Sequence, residues 1–479
     1  MSAMKKKKGP KPQHTLQEGL DGAWRIWFCA TGLLLVYLAG VFAVGGSGTL
    51  RRCIQPLQFE VLEQTLGCAG LVWLTFGIAL ALLKRPAFRM RHGLTVLCSA
   101  VLLFLYINFL RERTHYWDIK DYVQGAISLC NHEPFHQMYI YPPLLATLCQ
   151  PLLWLGVGEK GLTACFWCFN WVGFVLFFVL LTKALATYGF RLRIAHYVVF
   201  FFLFLNVPVL RTFLYGQVNF HMMNLILFAY LVHTRNKLLS AIALAFAVHL
   251  KASPIILVLP FLYVRDLKWL IYFGVSMIIV FALTFCFYGW PPFASFLTNA
   301  QNIYSGNGIT FRECSIDSVV RAVAVSLRTD GTPWVWLVKF PVLAGLLWGV
   351  HYSMRQKTWQ NRKDTVDAIF NALPLLLFVM VFASPLVWEH HFVFLSLPFL
   401  LLIKKMQSAA EWIAYSFAYV FIFLCPTFDF FPLSFCRLAG AGILFGLCIK
   451  VAKHHTTHWF FEVSERAEQP LFTIGPGHA

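Results

Sequence analysis

The chain has 479 residues, 59% of them hydrophobic and only 13% charged, with a mean hydropathy of +0.66. A soluble chain of this size needs about a quarter charged residues to cover its surface, so lipid must solvate most of this one. Long apolar runs recur along nearly the whole length, where a membrane barrel would show alternating segments of about ten residues; the class is an all-α polytopic membrane protein.

The net charge of +18, 39 basic residues against 21 acidic, does not call for a nucleic-acid partner. The basic residues sit in short clusters between apolar runs, which is where topology signals belong. Most of the thirteen cysteines fall inside apolar runs, where Cys behaves as a small hydrophobe. Cys165 and Cys168 have redox-motif spacing but lie in the middle of such a run.

From the N-terminus, Lys5–Lys8 followed by the run 26–46 has the outline of a signal peptide. The run exceeds a signal core of 7–15 residues and more spans follow, so it reads as a retained first helix. Further runs fall at 67–83, 93–110, 161–183, 196–213, 218–233, 238–250, 254–264, 269–288, 334–352, 366–383, 392–403, 412–425 and 438–452. Residues 1–88 are read as a basic cytoplasmic N-terminus with two extra transmembrane helices. Residues 89–452 form the transmembrane core and 453–479 a cytoplasmic tail. About 12–14 transmembrane helices are expected, with interfacial helices in the first long outer loop.

With the N-terminus inside, alternation places 26 of the 39 basic residues on inner segments. The same alternation sends 111–160, the turn 216–219, the loop 289–333 and the segment 384–391 to the outer face. Two conditions go with it. The run 143–157 must lie at the interface, which Pro151 favours. The runs 238–250 and 254–264, each too short for a core of about 30 Å, must form a half-depth pair. Every polar segment that is not simply basic then gathers on one side.

Transfer of a sugar from a lipid phosphate asks for a carboxylate that takes the acceptor's proton and for a cationic or N–H pocket at the departing phosphate. Asp118, beside His115, Tyr116 and Trp117, is the candidate base; the plain alternative is a helix N-cap, and one residue can do both. Asp121 reads as solvated or paired with Lys120. Lys251 interrupts an apolar stretch, where a lone charge costs about 2.5–3.5 kcal/mol. Donor-phosphate binding is its preferred role over snorkelling to the interface. His390 and His391 offer further phosphate ligands; as neighbours on one helix they point to different faces, so no metal is expected. Gln217 and Asn219 suit sugar hydroxyls or the exposed backbone of their turn. Arg321 is a second cation on a short helix, and Arg111 and Arg113 are interface anchors. Pro134 argues against a helical pair of His132 and His136, and His454, His455 and His458 belong to the polar tail.

At these residues the chain resembles glycosyltransferase family 87 of the GT-C superfamily, the polyprenol-phosphate-mannose-dependent mannosyltransferases. The similarity covers about 93–405. Its carriers are Asp118 with Tyr122, Gly125 and Ala126; Pro134-Phe135 and Tyr141-Pro142-Pro143; Gly216-Gln217-Val218-Asn219; Leu250-Lys251; Ser315 to Arg321; and Ser384-Pro385-Leu386-Val387-Trp388-Glu389-His390-His391. Gly125 stands where the family has Ala, and Cys314 where it tends to Gln. The resemblance implies a GT-C-like bundle and an inverting transferase that needs no metal or other cofactor. Asp118 would be its base, and Lys251, His390, His391 and Arg321 would hold the phosphate. Tyr122, Tyr141, Gln217, Asn219 and Trp388 would contact sugar or acceptor. The implied partners are a polyprenyl-phosphate sugar, a lipid- or glycan-linked acceptor and the surrounding lipids. Mannose is the first candidate sugar and arabinofuranose the second. A transporter or lipid flippase is the alternative, although the inverted repeats and midplane charges of transporters are not seen.

Overall fold

A computed structural model describes residues 16–54, 117–305, 313–329, 331–355, 362–425 and 433–454, which are helical with short connections. The expected runs 67–83 and 93–110, Arg111, Arg113, His455 and His458 lie outside these residues. In chain order, α1 covers Leu16–Ile54 and contains the expected first run. The next described stretch opens with α2 (Trp117–Cys130) and continues through two five-residue helices, α3 (Leu144–Leu148) and α4 (Gln150–Trp154). Then come α5 (Glu159–Thr187), α6 (Leu192–Phe204), α7 (Val207–Tyr215), α8 (Asn219–Val232) and α9 (Lys237–Leu250). A 3-10 stretch, Ser253–Val258, leads into α10 (Leu259–Tyr263) and α11 (Leu267–Tyr288). Next come α12 (Pro291–Ser305) and α13 (Ile316–Ser326). Last are α14 (Thr332–Arg355), α15 (Arg362–Ala383), a 3-10 stretch Glu389–Leu395, α16 (Ser396–Leu402), α17 (Ala409–Tyr419) and α18 (Cys436–His454).

Among the described residues, α5, α11, Pro333–Met354 of α14 and Val366–Ala383 of α15 are each long and apolar enough to cross a membrane. A fifth span is made by α6 and α7 taken together, bent by 70°. The chain is thus an all-α, multi-pass membrane protein. Most of the other expected runs are shorter helices of 10–17 residues. Their breaks have local causes. Asn206 caps α7 by accepting from the Val209 N–H at 3.0 Å, with Pro208 in the first turn. Gly216 ends α7 at φ +68°, a left-handed conformation that suits glycine. Pro254 follows Lys251 directly enough to keep α9 and the next 3-10 stretch apart, so the runs 238–250 and 254–264 are separate segments.

Helices α8 and α9 form an antiparallel hairpin of two 14-residue helices, each about 21 Å long. One end holds Asn219 and Lys251. At the other, Lys237 Nζ lies 2.6 and 2.7 Å from the two Asp266 carboxylate oxygens and His233 Nε2 lies 3.2 Å from one of them. That second end is the one charge bias assigns to the inner face.

Helix α2 is amphipathic. Ile119, Tyr122, Val123, Ala126 and Leu129 recur at helical spacing and are buried against Tyr139, Tyr141, Leu144, Val218 and Leu250. This cluster is separate from the larger core built around α8, α9, α15 and α16. The loop after α2 is held by α12. Ser295 Oγ accepts from the Phe135 N–H at 2.9 Å, and the Asn299 amide donates to the His136 and Tyr139 carbonyls at 2.8 and 3.1 Å. The loop after α2 and helix α12 therefore pack as one unit.

Candidate active site

Two close approaches set α2 in place, one against the 216–219 turn and one against the loop that carries Tyr139. A Cβ on Gly216 would fall 2.2 Å from Ile119 Cγ1, and one on Gly125 would fall 2.3 Å from Tyr139 Cδ2. Only glycine lets the backbone come this near, which gives Gly125 a physical reason. The Asn170 amide donates to the Gly216 carbonyl at 2.9 Å and fixes the turn from α5.

The result is a directed chain of hydrogen bonds. Tyr122 OH donates to Gln217 Oε1 at 3.2 Å, Gln217 Nε2 donates to Tyr141 OH at 3.1 Å, and Tyr141 OH donates to Asp118 Oδ1 at 3.3 Å. The rings of Tyr122 and Tyr141 meet edge-on at 4.8 Å. All the donors point toward the carboxylate, so the chain orients Asp118 and stabilises its charge. Asp118 lies in the first turn of α2, which begins no later than Trp117, and its carboxylate is engaged with Tyr141. Burial pushes the Asp118 carboxyl up to about 7, with Asp121 adding to the rise; Gln217, Lys251 and Tyr141 pull it back. A carboxyl near neutrality is suited to general-base work.

Lys251 caps the C-terminal end of α9 in extended conformation and points at the start of α8. Its Nζ lies 3.5 Å from Asn219 Oδ1 and 2.5 Å from His391 Nε2. The Trp388 N–H donates to His391 Nδ1 at 2.9 Å, so the turn closes around the ring and holds Nε2 toward Lys251. The Asn219 amide donates to the His390 carbonyl at 3.3 Å. The 384–391 segment is held from the far side by the Cys314 N–H, which donates to the Val387 carbonyl at 2.6 Å.

The His390 ring lies beside that of His391, tilted by 34° with centroids 4.4 Å apart, and meets Tyr215 edge-on at 5.6 Å. Both of its ring nitrogens, and the indole N–H of Trp388, are buried without a hydrogen-bond partner among the described residues. They line the site beside Lys251 as donors and acceptors. Arg321 is on α13, partly buried and packed against Gly331, on a helix capped by Ser315. Asp121 does not turn to solvent alone. His136 Nε2 is 3.7 Å from its carboxylate, and burial pushes Asp121 up to about 6.

Eight of the expected residues thus form a connected group: Asp118, Tyr122, Tyr141 and Gln217 on one side, and Asn219, Lys251, His390 and His391 on the other. The Gly216–Asn219 turn joins the two halves. A third feature was not foreseen. Glu389 forms an ion pair with Arg211, whose Nε lies 2.6 Å from Oε1, and has Arg437 Nη2 at 3.6 Å, all three buried. The signal was present, since Arg211 and Arg437 interrupt apolar runs as Lys251 does; nothing in the sequence said that both would meet the acid next to His390.

The fold and the site define a polytopic helical membrane protein that gathers a carboxylate, a lysine and two histidines around one turn. A family model for glycosyltransferase family 87 matches residues 139–385, about half of the chain, and the protein belongs to that family: it is a membrane glycosyltransferase. No curated protein and no solved structure matched the chain. The matched stretch is narrower than the resemblance read from the motifs. It includes Tyr141, Gln217, Asn219, Lys251 and Arg321, while Asp118, Tyr122, Trp388, His390 and His391 lie just beyond its ends and are tied to it by the contacts above.

Proposed function

We propose that the enzyme moves a sugar, mannose first among the candidates, from a polyprenyl-phosphate donor to a lipid- or glycan-linked acceptor hydroxyl. The setting is the extracytoplasmic face of a bacterial cytoplasmic membrane, within the 89–452 core. Asp118 removes the acceptor proton as the new anomeric bond forms on the face opposite the departing phosphate, which inverts the configuration. Lys251, with the N-terminus of α8 beside it, stabilises the charge that gathers on the phosphate as the bond to the sugar breaks. His390, His391 and Arg321 complete the phosphate pocket; Tyr122, Tyr141, Gln217, Asn219 and Trp388 orient the sugars.

The observation that carries this reading is the pairing across one turn. Gln217 serves the Asp118 carboxylate through Tyr141 and Asn219 meets the Lys251 ammonium, so base and cation are two residues apart in their support. Substituting Asp118→Asn and assaying transfer from synthetic polyprenyl-phosphate mannose tests it. Loss of transfer with intact expression and donor binding is the expected outcome. Turnover at the wild-type rate in that variant removes Asp118 as the base.

A further inference from the structure

Beside the Trp388–His391 turn, two thiols stand outside the transfer chemistry. Helix α17 continues into a single π-turn, Val420–Leu424, with Cys425 directly after it, and α18 begins at Cys436. The start of α18 packs closely on that turn, since a Cβ on Gly440 would fall 2.8 Å from Phe421 Cβ. The Cys425 and Cys436 side chains hydrogen-bond each other, and Cys436 Sγ lies 3.9 Å from the Phe421 carbonyl. Both residues are buried. The Arg437 guanidinium donates to the Cys425 carbonyl and faces Glu389 at 3.6 Å.

A third cysteine is near but engaged elsewhere. Cys314 Sγ donates to the Ser434 carbonyl at 3.4 Å, and its backbone N–H holds Val387. The group lies at the same end of the bundle as Lys251, because Glu389 adjoins His390 and His391 in the chain and His391 meets the ammonium. On the outer face proposed above, that end is exposed to a compartment in which disulfides form and persist.

We infer that Cys425 and Cys436 form a disulfide bond, which closes residues 426–435 and staples the start of α18 to the π-turn beside the active site. The bond forms by exchange with an oxidised dithiol protein of that compartment. One cysteine thiolate attacks the donor's disulfide, giving a mixed disulfide and releasing the first donor thiol. The second cysteine thiolate then attacks its partner's sulfur and releases the other donor thiol. The enzyme gives up two protons and two electrons, and the donor takes both pairs. The thiols are buried once α18 has packed, so the exchange belongs to folding. Arg437 follows Cys436 directly; the bond therefore keeps its guanidinium at Glu389 and supports the turn that carries His390 and His391. The inference rests on the outer placement of the site and on neither the sugar nor the acceptor.

Trypsin cleaves after Lys405 and Arg437, and the peptide between holds no other cysteine. Full-length enzyme is taken from bacterial membranes, denatured in SDS with N-ethylmaleimide present, and digested. Peptide 406–437 should carry no maleimide before reduction and should take up two after it. Cys425→Ser and Cys436→Ser should each lower the melting temperature by about 5 °C, and the double variant by no more than either, since all three lack the same bond. Maleimide on both residues without reduction overturns the inference. So does a link from either one to Cys314, or losses that add in the double variant. Glu133→Cys, at an exposed position just past α2, reports the face. A membrane-impermeant maleimide should reach residue 133 in intact spheroplasts. Free thiols at 425 and 436 with outside labelling at 133 refute the disulfide alone. Labelling at 133 only after lysis refutes the outer-face reading beneath it.

Discussion

Two carboxylates near the 216–219 turn are treated in opposite ways. Glu389 is clamped between Arg211 at 2.6 Å and Arg437 at 3.6 Å, and its charge is compensated in place. Asp118 receives a tyrosine hydroxyl and feels Lys251, but it makes no ion pair with a described side chain, and burial carries its carboxyl up to about 7. The first arrangement fixes a backbone segment. The second leaves a proton acceptor poised to change state. The same residue chemistry becomes structural or reactive according to what faces it.

The comparison breaks most directly through activity. Asp118→Asn should lower kcat by about 10²–10⁴, the range for loss of a positioned general base, measured as sugar transfer in detergent. Glu389→Ala should act through folding, because it leaves two buried guanidinium groups uncompensated. A loss of about 3–5 kcal/mol is expected, seen as a lowered melting temperature. Should Glu389→Ala keep its stability and lose only turnover, the contrast drawn here fails. Lys251→Met should raise the donor KM by about tenfold to a hundredfold while the acceptor KM stays near wild type, as expected for a hydrogen-bonded charge on a phosphate.

Two smaller effects sharpen the account of Asp118. Its carboxyl rises from about 3.9 in the unfolded chain to about 7 in the folded protein. The stabilisation tied to the protonated form is complete below about pH 4 and is lost as pH rises through 7. Asn at 118 has no such loss, so Asp118→Asn should melt above wild type at about pH 8, with the gap closing as pH falls toward 4. In the pH profile of kcat/KM, the acid limb of the wild type should have its midpoint near 7. Tyr141→Phe removes a donor that pulls the carboxyl down, so its acid limb should move to higher pH; movement the other way would contradict the hydrogen-bond chain.

Much of the site was legible because charge is rare in this chain. Lys251 stands out within an apolar run, and Asp118 belongs to the first long polar stretch after one. The Gly216–Asn219 turn announces itself by its glycine. What stayed hidden was which polar groups answer each other. Asp121 was read as solvated or paired with Lys120, whose charge it does feel, and it also meets His136 across a loop. His391, rather than His390, takes the Lys251 ammonium. The Arg211–Glu389–Arg437 cluster joins residues more than two hundred positions apart, and no local pattern records that.

Sequence alone determined the solvent of this protein and its helical class. Each of these follows from the cost of exposing backbone or charge to lipid, which every residue meets locally. Tertiary structure decided which carboxylate is neutralised and which is kept reactive. That depends on distances between helices far apart in the chain, and electrostatic interaction in a buried site varies steeply over a few ångströms.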